Sequence, residues 1–290
     1  MARTATVTVV VPARNAERSL GGTLESIQDQ SLVPAHVVVV DEGSVDGTVG
    51  VANTLGVQLM SVEAGRVGQA RNGAIAAAKS DYIAFCSAGD WFVPDKLERD
   101  IARIESLGAS CLAGEAWIVR GDRVRGRSNR TRIVPDVITE EFLIQSNPVI
   151  SSTVLASREA LVRAGGFDES QESAGVENYD LWLRLAAQEP IAYSSSPMTF
   201  CRERMISLEE SERAVRSIDA ILQRVGARHS ADEHYQRLIR SRRAAARLDH
   251  AWELMRAERY ALAATWIRDA QQIMKSWKGF KMSLRAMLKR

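Results

Sequence analysis

"TVTVVVPARNAERSLGGTLESIQDQSLVPAHVVVVDEGS", residues 6–44, decides the fold. Its flanks, TVTVVV (6–11) and HVVVVD (36–41), are short unbroken runs of mostly β-branched residues, the pattern of parallel strands covered on both faces. Between them Leu20, Leu24 and Ile27 recur at helical spacing, so the stretch reads as strand, helix, strand. The pattern then recurs. Gly43, Ser44, Asp46 and Gly47 make a turn into a helix through TVGVANTLG, followed by a strand VQLMS, a helix through GQARNGAIAAAKS, and a strand YIAFC ending at Cys86. Such alternation predicts an open, mostly parallel α/β sheet of Rossmann-like type, in which ligands bind beyond the carboxyl ends of the strands. The first candidates for a site are therefore residues 12–15, 41–44 and 87–90.

From about residue 108 the alternation lapses. ASCLAGEAWIVRGDRVRGRSN reads as a hairpin with RGD near its turn, and ITEEFLIQSN as a short helix. STVLASREALVRAGGFDE reads as a strand, a helix and a Gly-Gly stop; ENYDLWLRLAAQ reads as a helix with Leu181, Trp182 and Leu185 inward. Residues 208–290, without proline, read as consecutive helices, giving an α/β domain over 1–207 and a helical C-terminal appendage over 208–290. AWELMRAERYALAATWIRDAQQI is similar to half of a tetratricopeptide-type hairpin, but one copy does not make a repeat array.

With 46% hydrophobic residues the chain supports a large core, and 38 Lys+Arg against 36 Asp+Glu gives no warrant for nucleic-acid binding. Cys86, Cys111 and Cys201 are distant and in no CxxC spacing, which predicts small buried hydrophobes in a reducing, cytoplasmic setting. The apolar run before Pro12 is too short for a signal peptide, and no later run is long enough to span a bilayer. After Asp269 only basic charges appear. At ~100° per residue, Trp277, Phe280, Leu284, Met287 and Leu288 share one helix face, with Lys278, Lys281, Arg285 and Lys289 on the adjoining one. Residues 271–290 are thus a candidate for peripheral contact with an anionic membrane, on its inner face. The alternative is a last helix that packs its apolar stripe on the domain and solvates its lysines.

Asp41, at a strand end, is placed to accept hydrogen bonds from a base or ribose, whereas Asp46 reads as a helix cap. Arg71, in GQARNG, lies near the same sheet edge, and a structural salt bridge is its alternative reading. There is no GxGxxG after the first strand and no GxxxxGK[ST], which disfavours a dinucleotide-dependent oxidoreductase and a P-loop enzyme.

VTVVVPARNAERSLGGTLESIQDQS, VVVVDEGSVDGT, GQARNGAIAAAKSDYIAF, GDWFVPDKL, GGFDES and ENYDLWLRLA, in this order and spacing, resemble the family 2 glycosyltransferases with the GT-A fold over roughly residues 6–207. The resemblance implies that the first strand's end, at Pro12, and Asp41 with the Gly43 turn hold a nucleotide base, usually uracil, with Arg71 or Arg66 nearby. It also implies an Asp-x-Asp motif for ribose and a divalent metal, Mn or Mg, and a later aspartate that takes the proton of the acceptor hydroxyl.

Here the chain departs from the family. Alignment on VPDKL puts the two acids at Ser87 and Gly89, leaving Asp90 as the one acid for a metal. The base position is Asn178, which leaves Glu177 or Asp180 to serve. Glu42 replaces a second acid, Arg14 an aromatic, and CRERMIS offers Arg202 and Arg204 on a closing loop where the family tends to have an arginine and a histidine. Guanidinium groups of Arg71, Arg202 or Arg204 are suited to neutralise a diphosphate without a metal. The implied function is sugar transfer from a nucleotide-diphosphate donor, a UDP-sugar, to a glycan or lipid-linked acceptor. The alternative is a degenerate member that binds a nucleotide sugar or a partner glycosyltransferase without turnover.

Overall fold

A computed structural model of the protein describes residues 5–63, 67–130, 133–170, 172 and 175–287. The chain divides into two compact units, one of Met1–Glu140, Pro148–Glu169 and Leu181–Arg204, the other of Glu141–Asn147, Ser170–Asp180 and Met205–Arg290.

In the first unit β1 (Val7–Ala13), α1 (Leu20–Gln28), β2 (His36–Asp41), α2 (Thr48–Thr54), β3 (Gln58–Ser61), α3 (Val67–Ala77) and β4 (Tyr82–Phe85) follow in the predicted order. β1 pairs in parallel with both β2 and β4, and β2 with β3. Val7, Val9, Val10 and Val11 are fully buried, as a strand covered on both faces requires. β1 runs on to Ala13, past the valine run, because Pro12 and Ala13 stay in register with Val40 and Asp41. Leu20, Leu24 and Ile27 are fully buried in the same core, so the helical spacing did mark the face that meets the sheet.

Four further strands, β6 (Cys111–Gly114), β9 (Val137–Ile138), β10 (Leu155–Ser157) and β11 (Ile191–Ser194), extend the sheet to eight in the order β3-β2-β1-β4-β10-β6-β11-β9. The order runs outward from β1 in both directions, so the chain leaves β1 and β4 on opposite courses and opens a crevice at their carboxyl ends. A second sheet of β5 (Trp91–Phe92), β7 (Trp117–Arg120), β8 (Arg123–Arg127) and β12 (Thr199–Arg202) has the order β5-β12-β7-β8. The predicted hairpin is β7–β8, turning at Gly121 and Asp122.

The remaining helices are α4 (Lys96–Leu107), α5 (Glu140–Gln145), α6 (Arg158–Arg163) and α7 (Glu177–Gln188), with a single turn of 3-10 helix at Ser151–Thr153. Leu181, Trp182 and Leu185 on α7 are buried as expected. Cys86, Cys111 and Cys201 are free and buried; burial pushes all three thiols up, Cys111 to about 12, which suits inert packing groups.

In the second unit α8 (Leu208–Arg228), α9 (Glu233–Arg256), α10 (Tyr260–Ile273) and α11 (Trp277–Met287) are the predicted consecutive helices. Ser207 and Glu210 form a capping box at the start of α8, and the Asp232 carboxylate accepts the Nα–H groups of His234 and Tyr235 at the start of α9. Leu248, Ala251, Leu254, Ala263, Ile267 and Met282 make a separate core. None of the described helices is long and apolar enough to cross a membrane.

Candidate active site

The crevice after β1 and β4 is a cleft of about 540 Å³ lined by Pro12, Arg14, Arg71, Ser87, Asp90, Arg202 and Arg204 from among the sequence candidates, together with Ala13, Ala16, Glu42, Ala88 and Glu203. Its floor is stitched from the two strand ends, since the Ala88 N–H donates to the Pro12 carbonyl at 3.1 Å and the Cys86 N–H to the Val10 carbonyl at 3.1 Å. A cleft of about 560 Å³ at the opposite edge, lined by Thr8, His36, Gln58 and Lys79, sits at the amino ends of β1–β3, where parallel sheets do not place ligands.

Asp90 is buried and held from both sides. Ser152 Oγ donates to Oδ2 at 2.5 Å and the Arg202 backbone N–H to Oδ1 at 2.8 Å. Its own carbonyl accepts Thr23 Oγ at 2.7 Å, and Thr23 Oγ accepts the Gly89 N–H at 2.9 Å. Burial pushes the Asp90 carboxyl up from its ordinary value despite these donors. Folding then retains a proton that the unfolded chain releases, so this group's contribution to stability falls as pH rises from the usual carboxylate range to the raised value.

The chain itself offers few donors to a divalent ion. Ser87 and Gly89 offer no carboxylate, and the one remaining acid, Asp90, is buried and already accepts from Ser152 and the Arg202 backbone. Among the described residues no group of three or more His, Cys, Asp or Glu is placed to hold a metal.

An arginine stands where the second acid is expected. β12 pairs with β5 through Phe200 opposite Trp91, whose rings stack at 5.2 Å, and this ribbon carries Arg202 alongside Gly89. Arg202 Nε lies 3.4 Å from the Gly89 carbonyl, its guanidinium lies 5.9 Å from the Trp91 ring centre, and its Cδ is 3.9 Å from where a Gly89 Cβ would be. Gly89 has φ +103°, a conformation that side-chain-bearing residues rarely adopt, so the backbone itself disfavours an aspartate there.

On the other wall Arg71 of α3 pairs with Glu42 at 3.0 Å, both largely buried, with its guanidinium 5.4 Å from the Phe167 ring centre. The alternative reading of Arg71 as a salt-bridge partner therefore holds, and it leaves the residue on the cleft wall. Arg14 and Arg204 are exposed at the rim.

Asp41 ends β2 next to Glu42, is 4% exposed and is not among the residues that line the cleft; its carboxylate accepts the Ser44 N–H at 3.2 and 3.4 Å. A carboxylate accepts about four hydrogen bonds, so capacity for a ligand remains. Gly43 makes the turn with φ +78°. The cap position of α2 falls to Gly47, which has no side chain to cap with; Asp46, one residue before it, accepts the Thr48 N–H at 3.1 Å and Thr48 Oγ at 2.5 Å. Glu177, Asn178 and Asp180 form the first turn of α7. Asp180 is 4% exposed and paired with Arg224 at 2.9 Å, so its carboxylate is engaged inside the second unit. Arg66 lies outside the described residues.

Sequence reasoning missed Thr23 and Ser152, which hold the loop of residues 87–90 in place, and Trp91, whose ring lies beside the Arg202 guanidinium. No local spacing signals them, because Thr23 and Ser152 lie 62 to 67 residues from their partners in that loop. Thr23→Val keeps the shape but strips partners from two buried backbone groups. The expected loss is about 2–4 kcal/mol, seen as a melting temperature lower by about 5–10 °C in circular dichroism. An unchanged transition would show that the loop does not depend on Thr23.

A mixed sheet in which β3, β2, β1 and β4 are parallel and β10 and β9 run antiparallel to their neighbours, with its crevice at the ends of β1 and β4, makes this an α/β protein of the GT-A glycosyltransferase class. S. aureus TarS 1-349 in complex with UDP is similar in fold, with TM-score 0.64 and 20% identity over 97% of this chain and 88% of that one. So is the mannosyltransferase PcManGT from Pyrobaculum calidifontis in complex with GDP-Man and Mn2+, with TM-score 0.59 and 19% identity over 99% of this chain and 81% of that one. Residues 8–165, more than half of the chain, match the model of Glycosyl transferase family 2, and the chain belongs to that family. EpsE of Bacillus subtilis (strain 168) is 27% identical over 187 residues, 62% of this chain and 66% of EpsE. The UDP-Glc:alpha-D-GlcNAc-diphosphoundecaprenol beta-1,3-glucosyltransferase WfgD of Escherichia coli is 25% identical over 190 residues, 64% of this chain and 72% of WfgD. The chain thus spans just under two thirds of EpsE.

Proposed function

We propose that this protein transfers a sugar from a UDP-sugar to a hydroxyl of a glycan or lipid-linked acceptor, and that arginines take the charge of the leaving diphosphate. The observation that carries the reading is the cleft itself, where Arg202 flanks Gly89 at the position of the expected metal-binding acid. In this reading Asp41 and the Gly43 turn, which flank Glu42 of the cleft wall, receive the base, while Pro12, Arg14 and Ser87 take the rest of the nucleotide and Arg71, Arg202 and Arg204 take the diphosphate. UDP in the TarS complex and the UDP-glucose and diphosphoundecaprenol in the WfgD name support the donor and acceptor classes. In the reaction the acceptor oxygen bonds to the sugar's anomeric carbon as the bond to UDP breaks, and Glu177 takes the hydroxyl proton. Direct displacement of this kind inverts the anomeric centre.

Ser87, Gly89 and Asn178 favour a second reading, a member that binds the nucleotide sugar or a partner glycosyltransferase without turnover. Release of UDP from UDP-sugars in the presence of acceptor separates the two: turnover supports transfer, and binding with no release supports the binder. Asp41→Ala is expected to weaken UDP binding by about 10- to 100-fold in calorimetry, the worth of a hydrogen bond to a charged group. Unchanged affinity would remove Asp41 from the site.

A further inference from the structure

On α11 three faces are distinct. Gly279, Met282 and Ala286 are buried, and Met282 and Ala286 join the core of the second unit. Trp277, Phe280, Leu284 and Met287 are 67%, 50%, 46% and 68% exposed. At ~100° per residue these four share an outward arc about 80° wide, next to the arc that carries Lys278, Lys281 and Arg285. The helix therefore packs on a narrow strip of small residues and Met282 and turns its large apolar side chains to the outside, contrary to the alternative in which that stripe packs inward.

The aromatic and basic groups form one surface. Trp277 and Phe280 stack at 5.3 Å, Lys281 Nζ lies 5.3 Å from the Trp277 ring centre, and the Arg285 guanidinium lies 5.5 Å from the ring centre of Trp252, which is 41% exposed. Only one described acid is paired with this helix's cations, Asp249, which holds Lys278 at 2.9 Å. A second copy of the same face would bring cation against cation. An anionic surface that accepts apolar side chains matches both halves.

We propose that α11 docks this protein on the surface of an anionic lipid bilayer, with Trp277, Phe280, Leu284 and Met287 entering the boundary of headgroups and acyl chains and Lys278, Lys281 and Arg285 meeting lipid phosphates. The inference is independent of the sugar-transfer reading, since it uses none of the cleft residues.

The test is co-sedimentation of the whole chain with vesicles of phosphatidylcholine, or of phosphatidylcholine in which part is replaced by phosphatidylglycerol, at low and high salt. Binding to the anionic vesicles, weakened by salt, is expected. Phe280→Ser with Leu284→Ser should lower it by more than about tenfold, because exposed apolar area is lost. Lys278→Gln with Lys281→Gln should lower it by about 30-fold, the equivalent of ~1 kcal/mol for each basic residue near the surface. All four positions are exposed, and an unchanged circular dichroism melt certifies each fold. Equal binding to both vesicle types, no binding, or binding untouched by either double variant would overturn the proposal. So would a dimer in sedimentation velocity that Phe280→Ser with Leu284→Ser abolishes in the absence of lipid affinity, which would make the face a contact between copies.

Discussion

Arg202→Ala is expected to lower UDP affinity by about 10- to 100-fold and the turnover of donor by a further ~10²- to 10³-fold. The first figure is the worth of a charge-assisted hydrogen bond, and the second follows from removing a preorganised group aimed at developing charge. Arg202→Lys keeps the charge but loses the fork that spans two phosphate oxygens, so it should recover only part of both. Gly89→Asp, which restores an acid, is expected neither to rescue Arg202→Ala nor to create a manganese requirement, because the φ of +103° strains any side-chain-bearing residue there. Equal kinetics for wild type and Arg202→Ala would show that the guanidinium does not meet the diphosphate.

Glu177→Gln should reduce transfer by ~10²- to 10⁴-fold with UDP affinity unchanged, since a general base acts on the acceptor and not on the nucleotide. Asp180 is the rival carboxylate, and its pairing with buried geometry to Arg224 makes it a poor candidate for meeting an acceptor proton. If Glu177→Gln transfers as fast as wild type and Asp180→Asn does not, with both folded by circular dichroism, the base assignment moves to Asp180.

The parts of the fold that were legible in the sequence are those written in local periodicity. The valines of β1 and β2 and the spacing of Leu20, Leu24 and Ile27 are read within a few residues of one another, and each is fully buried or nearly so, apart from Val37 at the start of β2. At the candidate site the residue types were legible but their partners were not. Asp90 reads as a spare acid for a metal until Ser152 and the Arg202 N–H are seen to hold its oxygens. Gly89 reads as a missing acid, whereas the backbone there turns through a conformation suited to glycine, with Arg202, 113 residues further on, set against it. The two ends of that contact meet because β12 pairs with β5, a non-local pairing that no motif announces. In α11 the apolar and basic faces follow from spacing alone, but the choice of the small residues Gly279 and Ala286 for the packed side depends on how closely a neighbouring helix approaches.

We propose that the arginines of this cleft, with Asp41 at the end of β2, hold a nucleoside diphosphate without a metal. Calorimetric titration of the whole chain with UDP, in EDTA and then with manganese, tests it most directly. Binding is expected in EDTA, with an affinity that manganese leaves unchanged and that Arg202→Ala and Asp41→Ala each reduce. Binding that appears only with manganese, or no binding under either condition, would contradict it.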